Sequence, residues 1–135
     1  MTQTHAGSCL CGTVKFEMEG EFQKFFLCHC SRCRKASGSA HCANVFAPSA
    51  KIKWLSGEDK ISFYHHENTN FARNFCSTCS SLLPLYVESR DIVIMPAGCL
   101  DSEIEIKPQA HIFTDSKSSW DDVLNDTPTF EKMPG

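Results

Sequence analysis

Apolar and polar positions alternate with a period of two along much of this chain. Val14, Phe16 and Met18 interleave with Lys15 and Glu17 and stop at Gly20; Ile52 and Trp54 interleave with lysines before Ser56 and Gly57; Ile61 and Phe63 follow Asp59 and Lys60. A strand turns successive side chains to opposite faces, so this pattern predicts short strands with one face buried and the other wet. Further strands are predicted over 71–75, 82–87 and 92–95. Pro84 has no N–H to give to a ladder and marks the second of these as an edge or bulged strand. Helical spacing is weak and confined to 30–36 and 119–124. No repeat, low-complexity tract or long linker interrupts the pattern, and Pro128 to Gly135 reads as a loosely held tail. The prediction is a mainly β fold of small, twisted antiparallel sheets with little helix, one domain over 1–135 with a core over about 5–127.

Composition narrows the setting. The first eight residues carry no basic start and no apolar stretch, and no later run approaches the ~20 apolar residues needed to span a bilayer. The expectation is a cytoplasmic protein without a membrane partner, whose cysteines stay reduced. The nine cysteines agree, because a disulfide framework leaves an odd one over. Formal charge is −3; a four-thiolate zinc site adds −2 and a three-thiolate site −1, bringing the metallated chain to about −6. Such a chain is a poor partner for nucleic acid. The local basic cluster Arg32, Arg34 and Lys35 is too small to track a phosphate backbone; it suits either a small anionic ligand or a solvated turn.

Seven of the nine cysteines fall into three tight groups: Cys9 and Cys11; Cys28, Cys30 and Cys33; Cys76 and Cys79. Thiolates are soft, charged ligands, and two of them one or two residues apart can grip one Zn²⁺ from a single turn of backbone. Cys9 and Cys11 precede the first alternating segment, with Gly12 free to take a left-handed conformation, and Cys76 and Cys79 lie in a turn between two predicted strands. Together they make a closed tetrahedron, the geometry of a structural zinc. Cys28, Cys30 and Cys33 offer three thiolates and leave one position open, the arrangement of a labile catalytic zinc at which an incoming thiol loses its proton. A fourth ligand from His29, Cys42 or Cys99 would instead close a second structural site, and an arrangement without metal is the other alternative. His29 lies between two of the cysteines, so its side chain is expected to point away from theirs.

The run Gly7-Ser-Cys-Leu-Cys-Gly-Thr-Val-Lys-Phe16, the block from Cys28 to Ser39, Phe75 to Cys79, Ala97-Gly-Cys-Leu-Asp101, His111-Ile-Phe and Trp120 together resemble the glutathione-dependent formaldehyde-activating enzyme family, which also includes centromere protein V. The resemblance spans nearly the whole chain, in order and with the same cysteine spacing. It implies a β-tent fold, a structural zinc on Cys9, Cys11, Cys76 and Cys79, and a catalytic zinc on Cys28, Cys30 and Cys33. The implied reaction is addition of glutathione to formaldehyde, giving S-hydroxymethylglutathione, a carbon-sulfur lyase activity with a small thiol as partner. Ser80 stands where the family usually has glycine and Cys99 where threonine is usual; neither is among the implied ligands.

Other residues take plainer readings. Cys42, in an apolar stretch, reads as a buried small hydrophobe, and Cys99 as a similar residue in a turn. His65 and His66 read as a solvated loop, and His111 as a strand residue with a structural hydrogen bond. The ten phenylalanines with Trp54 and Trp120 read as core and rim packing. Two further functions compete with the enzyme: a zinc-stabilised structural or interaction module without catalysis, and a protein like the methionine sulfoxide reductases. The latter needs a reactive cysteine in a late strand, and none follows Cys99.

Overall fold

The computed structural model describes residues 3–135. Its strands are β1 (Thr4–Ser8), β2 (Lys15–Glu19), β3 (Lys24–Cys28), β4 (Cys42–Pro48), β5 (Lys51–Ser56), β6 (Ile61–His65), β7 (Ala72–Cys76), β8 (Leu82–Leu83), β9 (Leu85–Val87), β10 (Ile92–Pro96) and β11 (Ala110–Ile112). One α-helix, α1 (Ser31–Ser37), follows β3, and short 3-10 turns fill several connections, the longest over Ser119–Asp126. The strands form three small sheets, ordered β1-β2-β5, β6-β7-β8 and β11-β3-β4-β10-β9. This is the mainly β architecture of small sheets that the alternation predicts.

The core lies where the inward faces of these sheets meet. Phe16 and Met18 of β2, Val45 and Ala47 of β4, Leu83 of β8, and Val93 and Met95 of β10 are all buried. Each large apolar side chain taken from water contributes about 1.5–3 kcal/mol. Phe16 meets Trp54 edge-on, ring centroids 5.8 Å apart. Across β1, Gly7 is register partner to Phe16, and a Cβ built on it would sit 2.2 Å from the Phe16 ring, so only glycine lets the strands close over that side chain.

The predicted strands at 14–18, 52–54, 61–63, 71–75 and 92–95 correspond to β2, β5, β6, β7 and β10. The predicted 82–87 strand is two strands divided at Pro84. β8 pairs with β7 in one sheet and β9 with β10 in another, so the missing N–H falls at a change of sheet. The expectation of purely antiparallel pairing is corrected at β11, which runs parallel to β3 with His111 opposite Leu27. β1, β3 and β4 carry no clear alternation and were not predicted. Of the two weakly helical segments, the first is α1 and the second is 3-10 rather than α. Pro128 to Gly135 is exposed and without regular structure.

Candidate metal centre and adjoining cleft

β1 delivers Cys9 into a tight loop. The Gly12 N–H donates to the Cys9 carbonyl at 3.1 Å and the Cys9 N–H to the Val14 carbonyl at 3.0 Å, with Gly12 at φ +79°. At the end of β7 the Ser80 N–H donates to the Cys76 carbonyl at 2.8 Å, and Ser80 adopts φ +68°. That is left-handed backbone, the physical reason a glycine suits the position. The two loops are tied by the Leu10 N–H donating to the Ser81 hydroxyl at 2.9 Å.

This brings four sulfurs together. Cys9 and Cys11 Sγ are 3.6 Å apart, Cys11 and Cys76 Sγ 3.9 Å apart, and all four including Cys79 lie within 4.8 Å of one another. A tetrahedral zinc with bonds of about 2.3 Å separates its sulfurs by ~3.8 Å, so the donor set and spacing fit that ion. The Val14 N–H points at Cys9 Sγ at 3.2 Å, as thiolate ligands require of their surroundings. Burial pushes the Cys9 thiol up, whereas the Ser81 hydroxyl holds Cys79 down to about 5 and Thr13 holds exposed Cys11 below the usual thiol range.

The second group sits where β3 turns into α1. Cys28 ends the strand, Cys30 caps the helix with its sulfur facing the Cys33 N–H at 3.4 Å, and Cys33 lies in the first turn. Their sulfurs also lie within 4.8 Å of one another, and the three could hold a metal with a position to spare. Burial raises the Cys28 thiol. Burial also opposes the Cys30 thiolate, but the Cys33 N–H and the neighbouring thiols outweigh it and hold Cys30 below the ordinary range. Cys42 is register partner to Cys28 and buried beside the group, its thiol donating to the Cys33 carbonyl at 3.1 Å, without joining the three mutually close sulfurs. Contact with Cys33 holds Cys42 down to about 6 and pushes Cys33 up. Cys99 stands elsewhere, lining a hollow with Cys9 and Leu10, its thiol pushed up to about 12 by desolvation.

A cleft of about 800 Å³ opens along α1 beside the three cysteines, walled by Tyr64, Phe71 and Phe75 and carrying Arg32, Lys35 and Arg73, with no carboxylate among its lining residues. Arg73 links it to the metal group: one guanidinium nitrogen is 3.6 Å from Cys33 Sγ, another donates to the Ala72 carbonyl at 2.8 Å, and the group lies 4.2 Å over the Phe71 ring. Of the basic cluster seen in the sequence, Arg32 and Lys35 line this cleft, while Arg34 turns away to the Ser118 hydroxyl at 3.4 Å. Arg73 was not singled out from the sequence. Its signal was a cation between Phe71 and Phe75 on a predicted strand. His66 is exposed in the loop after β6, as expected, and also lines the same cleft, its Nδ1 2.8 Å from the Tyr64 hydroxyl.

His29 points away from the cysteines, as the alternation requires, and is fully buried. Its Nε2 lies 2.8 Å from His111 Nδ1, the hydrogen bond expected of His111, and its Nδ1 is 4.0 Å from an Asp121 oxygen. His41 stacks near both histidines at 5.2 and 6.2 Å between centroids; desolvation holds its imidazole below the usual range. His41 and Asp121 come from segments that carry no metal-ligand spacing, and nothing local in the sequence signals them.

The fold and the two cysteine groups describe a class: small β proteins with one group of four close cysteines and one of three, each able to hold a metal, the latter beside a cationic cleft. The sequence model of the glutathione-dependent formaldehyde-activating enzyme family matches residues 4–116, and the chain belongs to that family. The structure is also similar to the crystal structure of a Rhodobacter sphaeroides protein, at 20% identity and a TM-score of 0.59 over 78% of this chain and 98% of that one. That likeness is one of fold.

Proposed function

We propose that this chain catalyses addition of glutathione to formaldehyde, as a carbon-sulfur lyase acting in the cytoplasm. The supporting observation is the juxtaposition of three close cysteines with a cleft that carries three cations and no carboxylate in a chain of net charge −3. Glutathione presents two carboxylates and one ammonium around a thiol. Arg32 and Lys35 meet the carboxylates, the Tyr64, Phe71 and Phe75 wall excludes water from the peptide, and Arg73 fixes the thiol end next to Cys33. Cys9, Cys11, Cys76 and Cys79 hold a structural zinc, and Cys28, Cys30 and Cys33 hold a second, labile one. Bound there, zinc supplies a Lewis-acidic position that favours the deprotonated form of a thiol.

The reaction balances without a further reactant. Sulfur forms a bond to the aldehyde carbon, the carbonyl π pair moves to oxygen, and the proton lost from sulfur is matched by the one oxygen takes up. The cleft supplies proximity, holding thiol and aldehyde together where free solution must bring them by collision.

Exchange NMR on glutathione and formaldehyde tests this. The protein speeds approach to equilibrium without moving the equilibrium, and Cys30→Ser abolishes the increase. Arg73→Met raises the glutathione concentration required by about tenfold, the ~1.4 kcal/mol of one charge-assisted contact. Zinc-loaded protein that neither accelerates exchange nor binds glutathione at millimolar concentration refutes this substrate and favours the interaction module.

A further inference from the structure

Among the described residues outside the cysteine groups, one cluster has the chemistry of a ligand set: His29 after β3, His41 before β4, and Asp121 in the 3-10 segment Ser119–Asp126. One ligand atom from each lies within 4.8 Å of the others. His29 is 0% exposed and the Asp121 side chain 17% exposed. His29 Nδ1 and His41 Nδ1 are both buried and have no hydrogen-bond partner among the described residues. A buried ring nitrogen left without a partner costs about 1–3 kcal/mol, and two of them in one cluster with a carboxylate is an arrangement a fold does not keep without compensation.

Hydrogen bonding within the cluster does not supply it. The 4.0 Å from His29 Nδ1 to Asp121 Oδ2 is too long for a hydrogen bond. A tetrahedral ion about 2.0–2.2 Å from each donor separates them by ~3.4 Å, so an ion held here would draw His29 Nδ1 and the Asp121 oxygen together by about 0.6 Å. The tautomer is favourable as well. The His29 Nε2 contact with His111 Nδ1 is satisfied when Nε2 carries the proton and donates, and that leaves the Nδ1 lone pair directed at the cluster. A metal-binding histidine characteristically donates its other ring N–H in this way.

We propose that His29, His41 and Asp121 form a divalent-metal site of the zinc type, separate from both cysteine groups. Two imidazoles and a carboxylate are borderline-hard ligands that select such an ion without thiolates. His111 is a positioning residue, holding the His29 ring through Nε2. The site has a structural consequence: it fastens the 3-10 segment near the C-terminus onto the β3–α1 junction, where the bond from Arg34 to Ser118 is the neighbouring tether. Cys28 and Cys30 face one side of that junction and His29 the other, so one short stretch of backbone serves two metals. The inference does not depend on the reaction proposed above.

Cadmium-113 NMR of cadmium-loaded protein tests it, because cysteine-bound and nitrogen/oxygen-bound cadmium resonate in well-separated regions. Wild-type protein shows one nitrogen/oxygen-type resonance beside the cysteine-type ones. His41→Gln and Asp121→Ala each lose that resonance and one equivalent of bound zinc while the cysteine-type resonances persist, which also reports that the variants are folded. His111→Phe keeps the site but weakens it by about 10–100-fold, the usual effect of removing a partner behind a metal ligand. Wild-type protein that shows only cysteine-type resonances at saturating cadmium overturns the proposal, whatever the variants do. So does equal zinc content in wild type and Asp121→Ala.

Discussion

Cys76→Ser is the severest single change expected at the closed thiolate site. Cys76 ends β7, is 0% exposed, and its sulfur is one of four within 4.8 Å of one another. Structural zinc in small peptides contributes about 10–16 kcal/mol, so one ligand of four stands for about 3–4 kcal/mol. The serine hydroxyl, left in a dry position without its metal, adds about 1–3 kcal/mol. The resulting loss of about 4–7 kcal/mol, rising to the full 10–16 kcal/mol when the three remaining ligands no longer hold the zinc, compares with a total stability of roughly 7–20 kcal/mol for a chain of this length. Cys76→Ser is therefore expected to be insoluble or molten. Cys11→Ser removes a ligand from the same site, but Cys11 is exposed, so the desolvation cost is absent and the loss should be smaller by about 1–3 kcal/mol. Guanidinium unfolding with and without a chelator, beside zinc content by mass spectrometry, measures both. A Cys76→Ser protein that melts cooperatively within a few degrees of wild type after losing its tight zinc would refute the structural assignment.

Cys30→Ser should stay folded and retain the tight zinc while losing the labile one; metal analysis showing both gone together would mean the two cysteine groups are not independent. Gly57→Ala should cost about 2–4 kcal/mol by thermal unfolding, because Gly57 sits at φ +73° and its new Cβ would lie 2.2 Å from the Thr13 carbonyl oxygen; a loss under 1 kcal/mol would show that the loop yields. Cys99, its thiol pushed up to about 12 by desolvation, remains protonated at pH 8 and should alkylate ~30–60-fold more slowly than a thiol at the ordinary 9.0, the ~1000-fold loss of thiolate being partly offset by a more nucleophilic sulfur. Peptide mapping after iodoacetamide reads this, and labelling of Cys99 in folded protein as fast as that of an ordinary thiol would contradict the desolvation.

What the sequence disclosed follows its physics. β2 and β5 show alternation because one face of their sheet is wet. β3 and β4 do not: β4 buries Cys42, Asn44, Val45 and Ala47, on both sides of the strand, because its sheet is covered on both faces. β1 combines a buried histidine, His5, with the small residues Ala6, Gly7 and Ser8 that leave room for Phe16, and β11 is a strand by virtue of a partner some eighty positions away, which no local pattern encodes. The cysteine groups were legible because their members are neighbours in the chain. Arg73, His41 and Asp121 reach their sites only through tertiary folding, and Arg34 was misplaced because helical phase turns it from the cleft that Arg32 and Lys35 line.

The parallel pairing of β11 with β3 sets an order on the birth of the molecule. Gln109 accepts the Phe25 N–H across 84 residues, and His111 meets His29 across 82. A ribosome adding 5–20 residues per second needs about 4–17 s to cover that gap. During that interval β3, with Phe25, Phe26 and Leu27, offers one unpaired edge to any other nascent chain. Truncation anywhere before residue 110 makes that interval permanent, so premature stops near the C-terminus should yield aggregates rather than short, working protein.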